Sequence, residues 1–190
     1  MEVKPKLIIG LGNPDKKYEK TYHNAGFLFI DYLHECQAPL LCQGSSGQAN
    51  VKRQTLKSDV FMNQSGNFVK KAFKKFSVKS GKIKPEELLI VHDDSDIELG
   101  KYKISFGRSS AGHKGVESII KTLKTKNFWR LRIGIGKTPN VKNQTPRKKA
   151  IEFVLKTMTK RDQNFLKKVF EEITRENSSL ILHKAPIAII

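Results

Sequence analysis

Cysteine is scarce in this chain of 190 residues, and several other features are absent from it. Its two cysteines, Cys36 and Cys42, have neither the spacing of a metal site nor the number of a disulfide framework, so we expect a reducing compartment. No apolar run approaches the roughly 20 residues that a membrane span requires. The N-terminal stretch lacks the apolar centre of a signal peptide and is too short before the first strand to be a transit peptide. We therefore expect neither a secreted nor a membrane-spanning protein.

Acidic residues are the second shortage. Asp and Glu total 18 against 36 Lys and Arg, which gives a net charge of +18. Such an excess attracts polyanions over a long range, so nucleic acid is the leading partner and an anionic membrane surface the second. The lysines are spread along most of the chain, and a lysine-rich composition without any binding role is the third interpretation.

The hydrophobic pattern predicts an α/β fold. The length suits a single domain, residues 1–190, with a core that needs no disulfide or metal. Short apolar runs typical of strands alternate with segments of helical periodicity, which favours a three-layer sandwich with a twisted mixed β-sheet flanked by helices. Strands are predicted at 7–9, 87–92, 101–106 (an edge strand) and 129–135, and helices at 25–37, 64–76, 113–123, 148–155 and 160–175.

A glycine-rich turn follows the first strand. The sequence GLGN resembles the start of a dinucleotide fingerprint, but Asp15 stands where the third glycine is needed and Pro14 interrupts the helix start, which argues against a nucleotide site. His23 follows instead, next to Asn24, the predicted N-cap of the first helix. A histidine is thereby placed at the carboxyl end of a strand, where open α/β folds bind their ligands.

Three predicted strand ends carry groups capable of chemistry: Asn13 with His23, Met62 with Asn63, and Asp93. Aligned at one edge of the sheet, they would form a pocket with a base, a carboxylate and two amides. A carboxylate bonded to an imidazole fixes its tautomer, so that the other ring nitrogen can take a proton from water. Because neither a serine in a nucleophile elbow nor a Cys–His pair is evident, we expect water to be the attacking group. We interpret the histidines at positions 92 and 113 as structural.

Five stretches occur in the order found in a known family: GLGNPDKKYEKTYHNAG, FMNQSG, LLIVHDDSDIELGKYKI, GHKG and RLRIGIGKTP. They resemble the successive signatures of the bacterial-type peptidyl-tRNA hydrolases. The resemblance implies a single, monomeric α/β globule that acts in translation and ribosome rescue, cleaving the ester between a peptide and the 3′ end of tRNA with neither metal nor cofactor. A short stretch at 40–59 and the sequence RSSAGHKG resemble the eukaryotic organellar members, so we expect the mitochondrion or the cytoplasm.

The resemblance also implies roles for individual residues. His23 matches the catalytic base and Asp93 its supporting carboxylate. Asn13 matches the amide that distinguishes peptidyl from free aminoacyl ends, and Asn63 the amide near the scissile bond. The remaining matches are two residues that line the site, Tyr18 and Phe61, and two that contact the tRNA backbone, Lys103 and Arg132. Lys114 stands where the family usually has asparagine, and we expect it to reach a tRNA phosphate or the ester carbonyl.

Two alternatives remain open on the residues alone. Asp94 and Asp96 follow a strand and superficially suggest a magnesium site for phosphoryl transfer, although we interpret them as turn residues. The second alternative is a non-catalytic RNA-binding protein on the same fold.

Overall fold

A computed structural model describes residues 5–41, 54–80, 82–136 and 153–177 of the protein. Five strands form one sheet: β1 (Leu7–Gly10), β2 (Gln54–Lys57), β3 (Leu88–Glu98), β4 (Tyr102–Phe106) and β5 (Trp129–Gly136). Their order is β2-β1-β3-β5-β4, so β3 is central. β4 is an antiparallel edge strand, while the other neighbours pair in parallel. The predicted mixed sheet with its edge strand is confirmed.

Helices cover both faces of this sheet. Their bounds are α1 (Ala25–Leu41), α2 (Ser65–Ser80), α3 (Lys114–Leu123) and α4 (Lys160–Glu176). Apolar side chains of α1 and α4 form one core with one face of the strands, and those of α2 and α3 form a second core with the other face. The three-layer sandwich is thus confirmed. We call its outer layers the α1/α4 layer and the α2/α3 layer. No helix in the described parts of the chain is long and apolar enough to cross a membrane.

The alternation of side chains along the strands assigns each residue to one of the two layers. Ile8 belongs to the core under α1 and α4, whereas Leu7 and Ile9 belong to the core under α2 and α3. All three are wholly buried, as expected of a parallel strand that is covered on both faces. On β5, Leu131 and Ile133 face the α1/α4 layer. Arg132, between them, therefore points to the face of the α2/α3 layer.

The chain just before α4 holds the segment that precedes α1. The backbone N–H of Met158 donates to the carbonyl of Lys20 (2.8 Å), and that of Tyr22 donates to the carbonyl of Lys156 (3.3 Å). The Tyr22 hydroxyl donates to a carboxylate oxygen of Asp162 in the first turn of α4 (2.5 Å). Residues 20–22 are consequently fixed by contacts with a part of the chain that is remote in sequence.

Two predicted boundaries are wrong. Residues 93–96 were expected to end the strand, with Asp94 and Asp96 in a turn, but β3 continues to Glu98. Asp94 pairs with Gly134 of β5, where a side chain would collide with the Glu98 carbonyl, so the glycine allows the backbones to stay close. The first helix is predicted to end at 35–37 but runs to Leu41, past Pro39. Most of the predicted helix at 148–155 lies outside the described residues.

Candidate active site

The carboxylate of Asp93, on the central strand, lies between two imidazole rings. His23 Nδ1 is 2.9 and 3.0 Å from its two oxygens, and His113 Nε2 is 2.9 Å from Oδ1. The Asp93 side chain is 3% exposed, while His23 and His113 keep 13% and 10%. A buried carboxylate thus accepts hydrogen bonds from two rings that water can still reach.

The helix starts determine which ring nitrogens carry protons. His113 is the N-cap of α3, and its Nδ1 accepts a hydrogen bond from the backbone N–H of Val116 (3.3 Å). The proton of His113 must therefore be on Nε2, which donates it to Asp93. His23 lies in a short 3-10 helix, Tyr22–Asn24, directly before α1. Since its Nδ1 also faces the carboxylate, that nitrogen is protonated and Nε2 keeps a lone pair.

Charge interactions favour an ionised aspartate and a basic histidine. Burial alone would raise the pKa of Asp93, but the two imidazoles outweigh it and hold that pKa well below its ordinary value. Burial of His23 lowers its pKa, and the Asp93 carboxylate more than offsets this, so the pKa of His23 lies above the ordinary value. Asp93 consequently stays ionised while His23 exchanges a proton.

A third histidine, His92, contacts both the backbone of Asp93 and the ring of His113. His92 Nδ1 donates to the Asp93 carbonyl (2.6 Å), and its ring packs edge-on against His113, with centroids 4.6 Å apart. Burial holds the pKa of His92 well below its ordinary value. His92 is therefore neutral and serves as packing for His113, in keeping with its interpretation as structural.

The amide of Asn13 is fixed in orientation. Its backbone N–H donates to Asn24 Oδ1 (2.8 Å), and Asn24 Nδ2 donates to its carbonyl (3.0 Å). The backbone N–H of Met62 donates to Asn13 Oδ1 (3.0 Å). Among the described residues Nδ2 of Asn13 makes no hydrogen bond, and this atom can only donate. The prediction that Asn24 caps α1 is wrong, because both polar atoms of its amide bind the Asn13 backbone.

The hydrogen bond from the Met62 N–H to Asn13 also places Met62, and with it the neighbouring Asn63, at this edge of the sheet. Met62 begins a short 3-10 helix, Met62–Gln64, that leads into α2. Asn63 is its middle residue and is exposed. Met62 therefore lies beside Asn13 as expected, but the prediction that Met62 and Asn63 end a strand is wrong, because β2 ends at Lys57 and the two residues lie in the 3-10 helix.

Comparisons with known proteins identify the family of this chain. The family model for peptidyl-tRNA hydrolase matches residues 7–188. The chain belongs to the peptidyl-tRNA hydrolase family. It is 42% identical to a peptidyl-tRNA hydrolase of Thermodesulfovibrio yellowstonii, over 70% of this chain and 73% of that one. A peptidyl-tRNA hydrolase of Aquifex aeolicus is 37% identical, over 90% and 86%. The crystal structure of peptidyl-tRNA hydrolase from Acinetobacter baumannii aligns with a TM-score of 0.74 at 28% identity, covering 95% of this chain and 90% of that one.

The family resemblance assigns two aromatic residues, Phe61 and Tyr18, to the site. Phe61 immediately precedes the 3-10 helix that carries Asn63 and is 44% exposed. Tyr18 is half-buried in the loop between β1 and His23, with Lys17 Nζ above its ring at 4.9 Å. An open cavity of about 460 Å³ borders the site through Asn13. The cavity is lined by Asn13 and Asn24 but not by Tyr18 or Phe61, so the roles of these two aromatic residues stay predictions.

The two basic residues expected to contact tRNA differ in whether a carboxylate already neutralises their charge. Lys103 is exposed on β4, directly opposite Arg132 of β5. Arg132 Nε donates to Asp94 Oδ2 at 2.6 Å, so part of its charge is already neutralised. This ion pair also weighs against the magnesium alternative, because Asp94 is occupied by a guanidinium.

Lys114, where the family usually has asparagine, is the first residue of α3 and points to the surface. Its side chain is 66% exposed, with Nζ 3.4 Å from Glu117 Oε2. The ammonium is therefore held beside the site and not among the buried groups around Asp93.

A metal ion does not suit the His–Asp–His cluster, although the three ligand atoms lie within 4.8 Å of one another. A metal would need the lone pair of His113 Nε2, which would move the proton to Nδ1. Nδ1 could then no longer accept the Val116 N–H that begins α3. The hydrogen-bond pattern therefore favours two N–H groups that donate to Asp93 over a metal ion at this place.

Sequence reasoning missed one contact of His113. The sequence interpretation of this histidine as structural holds for its role as the N-cap of α3, but it did not include the hydrogen bond to Asp93. Its position at the start of the predicted helix was the available signal, since an N-cap side chain accepts a hydrogen bond from the first turn.

Proposed function

We propose that the protein hydrolyses the ester between a peptide, or an N-blocked amino acid, and the 3′ end of tRNA, with His23 as the general base. The observation that carries this proposal is the hydrogen bond of His23 Nδ1 to Asp93 in a chain of the peptidyl-tRNA hydrolase family. The products are free tRNA and a released peptide. No metal is required, because the base activates water directly.

The chemistry follows from the protonation states. His23 Nε2 takes a proton from a water molecule, and the water oxygen attacks the ester carbonyl carbon. Asp93 stabilises the imidazolium that forms, as the carboxylate does in other His–Asp pairs. The tetrahedral intermediate then collapses, the carbon–oxygen bond to the ribose breaks, and the imidazolium returns the proton to the ribose oxygen.

Asn13 is suited to distinguish peptidyl from free aminoacyl ends. Its Nδ2 is a fixed donor, since Met62 and Asn24 occupy the other polar groups of the residue. A peptide or an N-blocked amino acid presents a carbonyl oxygen that accepts this hydrogen bond. A free aminoacyl end presents an ammonium, which cannot accept it.

Two helix starts supply positive potential to the reaction. α3 begins at His113, next to Asp93, and α2 begins just after Asn63. The positive ends of the helix dipoles therefore lie beside the ester, where they would stabilise the negative charge on the carbonyl oxygen. Asn63 would add a neutral donor. The cavity beside Asn13 offers room for the peptide.

The test is to incubate N-blocked aminoacyl-tRNA with the pure protein and a chelator and to measure release of the blocked amino acid. Free aminoacyl-tRNA serves as a second substrate and should remain largely intact. The variant His23→Ala, purified in the same way, controls for contaminating hydrolases. Tight tRNA binding without release by the wild-type protein would contradict hydrolysis and favour a non-catalytic RNA-binding role.

A further inference from the structure

The two helix layers carry very different charges. α2 has five lysines and no acidic residue, and α3 has two lysines and one glutamate, so the α2/α3 layer has a net charge of +6. α1 has two acidic residues and no lysine or arginine, and α4 has five basic residues against four acidic ones, so the α1/α4 layer has a net charge of −1. The excess charge of the helices is therefore on one face of the protein.

The lysines of α2 form an exposed surface. Lys70, Lys71, Lys74 and Lys75 are all exposed, and among the described residues none of them makes an ion pair. They lie at i and i+4 spacing, where like charges repel and weaken a helix. Lys75 Nζ lies over the Phe76 ring at 5.8 Å, but this contact does not relieve the repulsion between the lysines, which points to an external anion as the compensating partner.

Other basic residues point in the same direction. Arg132 projects from the sheet towards the face of the α2/α3 layer, and Lys103 is its register neighbour on β4. α2 starts directly after the helical turn that holds Asn63, so its lysines begin on the order of 10 Å from that residue along the helix. Lys103, Arg132 and the lysines of α2 thus lie on the same side of the sheet, although the charge of Arg132 is partly neutralised by Asp94.

We propose that the exposed face of α2, defined by Lys70, Lys71, Lys74 and Lys75, binds the phosphate backbone of the tRNA body beyond its 3′ end. This inference rests on the proposed function for the identity of the RNA. An anionic membrane is a poorer partner, because the apolar side of α2 (Val69, Ala72 and Phe76) is buried in the core and leaves no large side chain to insert into lipid.

The experiment compares two variants with the same change of charge. In the first, the four lysines of α2 are replaced by glutamine, which keeps helix propensity. In the second, which we call the α4 variant, four exposed lysines in α4 or just before it are replaced likewise: Lys156, Lys160, Lys167 and Lys168. The affinity for deacylated tRNA is measured over a range of salt concentrations, and circular dichroism verifies folding. Because this binding requires no hydrolysis, the result is independent of whether the proposed reaction occurs.

The α2 variant should bind tRNA at least ~10-fold more weakly at low salt, with a salt slope shallower by about two to three, since each phosphate contact contributes ~0.7–0.9. The α4 variant should lose less than about 3-fold. With N-blocked aminoacyl-tRNA, KM should rise in the α2 variant while kcat is unchanged. Equal losses in both variants would show a mere net-charge effect and overturn the proposal. So would unchanged tRNA affinity in an α2 variant that no longer sediments with phosphatidylserine vesicles, which would identify a membrane partner.

Discussion

The α1/α4 and α2/α3 layers pack against the sheet in the same way but differ in what their helix starts do. Thr159 caps α4 by accepting a hydrogen bond from the Asp162 N–H (3.1 Å). His113 caps α3 in the same way and also donates to Asp93. One cap therefore stabilises only its helix, while the other couples a helix to a chemical group. The comparison teaches that an N-cap side chain can stabilise a helix alone, as Thr159 does, or can also bind a residue of the candidate site, as His113 does.

The site itself lies where the two layers meet. His23 comes from the segment before α1 and His113 from the start of α3, and both bind Asp93 on the central strand. Substitutions on each side of this carboxylate separate the contribution of one layer from that of the other.

The largest effect is expected from the α1 side. His23→Ala should lower kcat by ~10²–10⁴, the usual range for losing a general base, while the affinity for tRNA changes little. His34→Ala is the matched control, because His34 is an exposed histidine of α1 whose side chain hydrogen-bonds Thr55, away from Asp93. Single-turnover hydrolysis and equilibrium binding measure the two quantities. Activity of His23→Ala within a few-fold of wild type would exclude His23 as the base.

Replacing the shared carboxylate should affect both rate and pH dependence. Asp93→Asn removes the anion that raises the pKa of His23, so that pKa falls. A base with a lower pKa stays unprotonated to lower pH, and the acidic limb of kcat/KM should therefore move downward. The rate at the optimum should also fall, by about 10²–10⁴, because an amide permits the wrong tautomer. An unchanged pH profile would contradict the coupling of Asp93 to His23.

The two caps can be compared directly. His113→Ala and Thr159→Ala should each lower the free energy of unfolding by about 0.5–2 kcal/mol, the usual value of an N-cap. Only His113→Ala should shift the acidic limb of kcat/KM, and it should shift upward, because Asp93 then gives its whole charge to His23. Denaturant unfolding and pH–rate profiles measure these effects.

The variant His113→Asn separates the two roles of this cap. Asparagine is a good N-cap but is too short to reach Asp93, so it should restore stability and leave the pH shift in place. If His113→Ala and the wild type have the same pH profile, His113 is only a cap.

The smallest effect is expected at Lys114. Lys114→Asn restores the usual family residue and should raise KM a few-fold without lowering kcat, because a phosphate contact is made equally in the ground and transition states. Lys121→Asn is the control, since Lys121 also pairs with Glu117 but lies about two turns farther along α3 from the site. A fall in kcat at constant KM would instead place the ammonium of Lys114 at the ester.

Local patterns predicted most of the fold. The wholly apolar β1 and the helical spacing in α2 and α3 are visible in the sequence because burial imposes their periods. The continuation of β3 through residues 93–96 is not visible, since it depends on pairing with Gly134, which is remote in the chain. Pro39 misled the prediction of where α1 ends, because a proline stops a helix only when the geometry around it requires this.

The part of the candidate site that lies at strand ends or in family motifs was predictable from the sequence. Asn13, His23 and Asp93 converge because parallel strands share a carboxyl edge. The second contact of Asp93, with His113, was missed because a hydrogen bond between a strand and a helix cap leaves no periodic signal. The ion pair between Arg132 and Asp94 was not predictable from the sequence for the same reason, because the two residues are on different strands.

The clamp on residues 20–22 has a consequence for synthesis on the ribosome. His23, Asp93 and His113 have all been translated well before Asp162, yet the hydroxyl of Tyr22, beside His23, is bonded to Asp162 across 140 residues of sequence. Contacts of such long separation form late in folding. A growing chain therefore contains His23, Asp93 and His113 before Asp162 is available to bind Tyr22, so the segment that carries His23 is fixed only after α4 has been made.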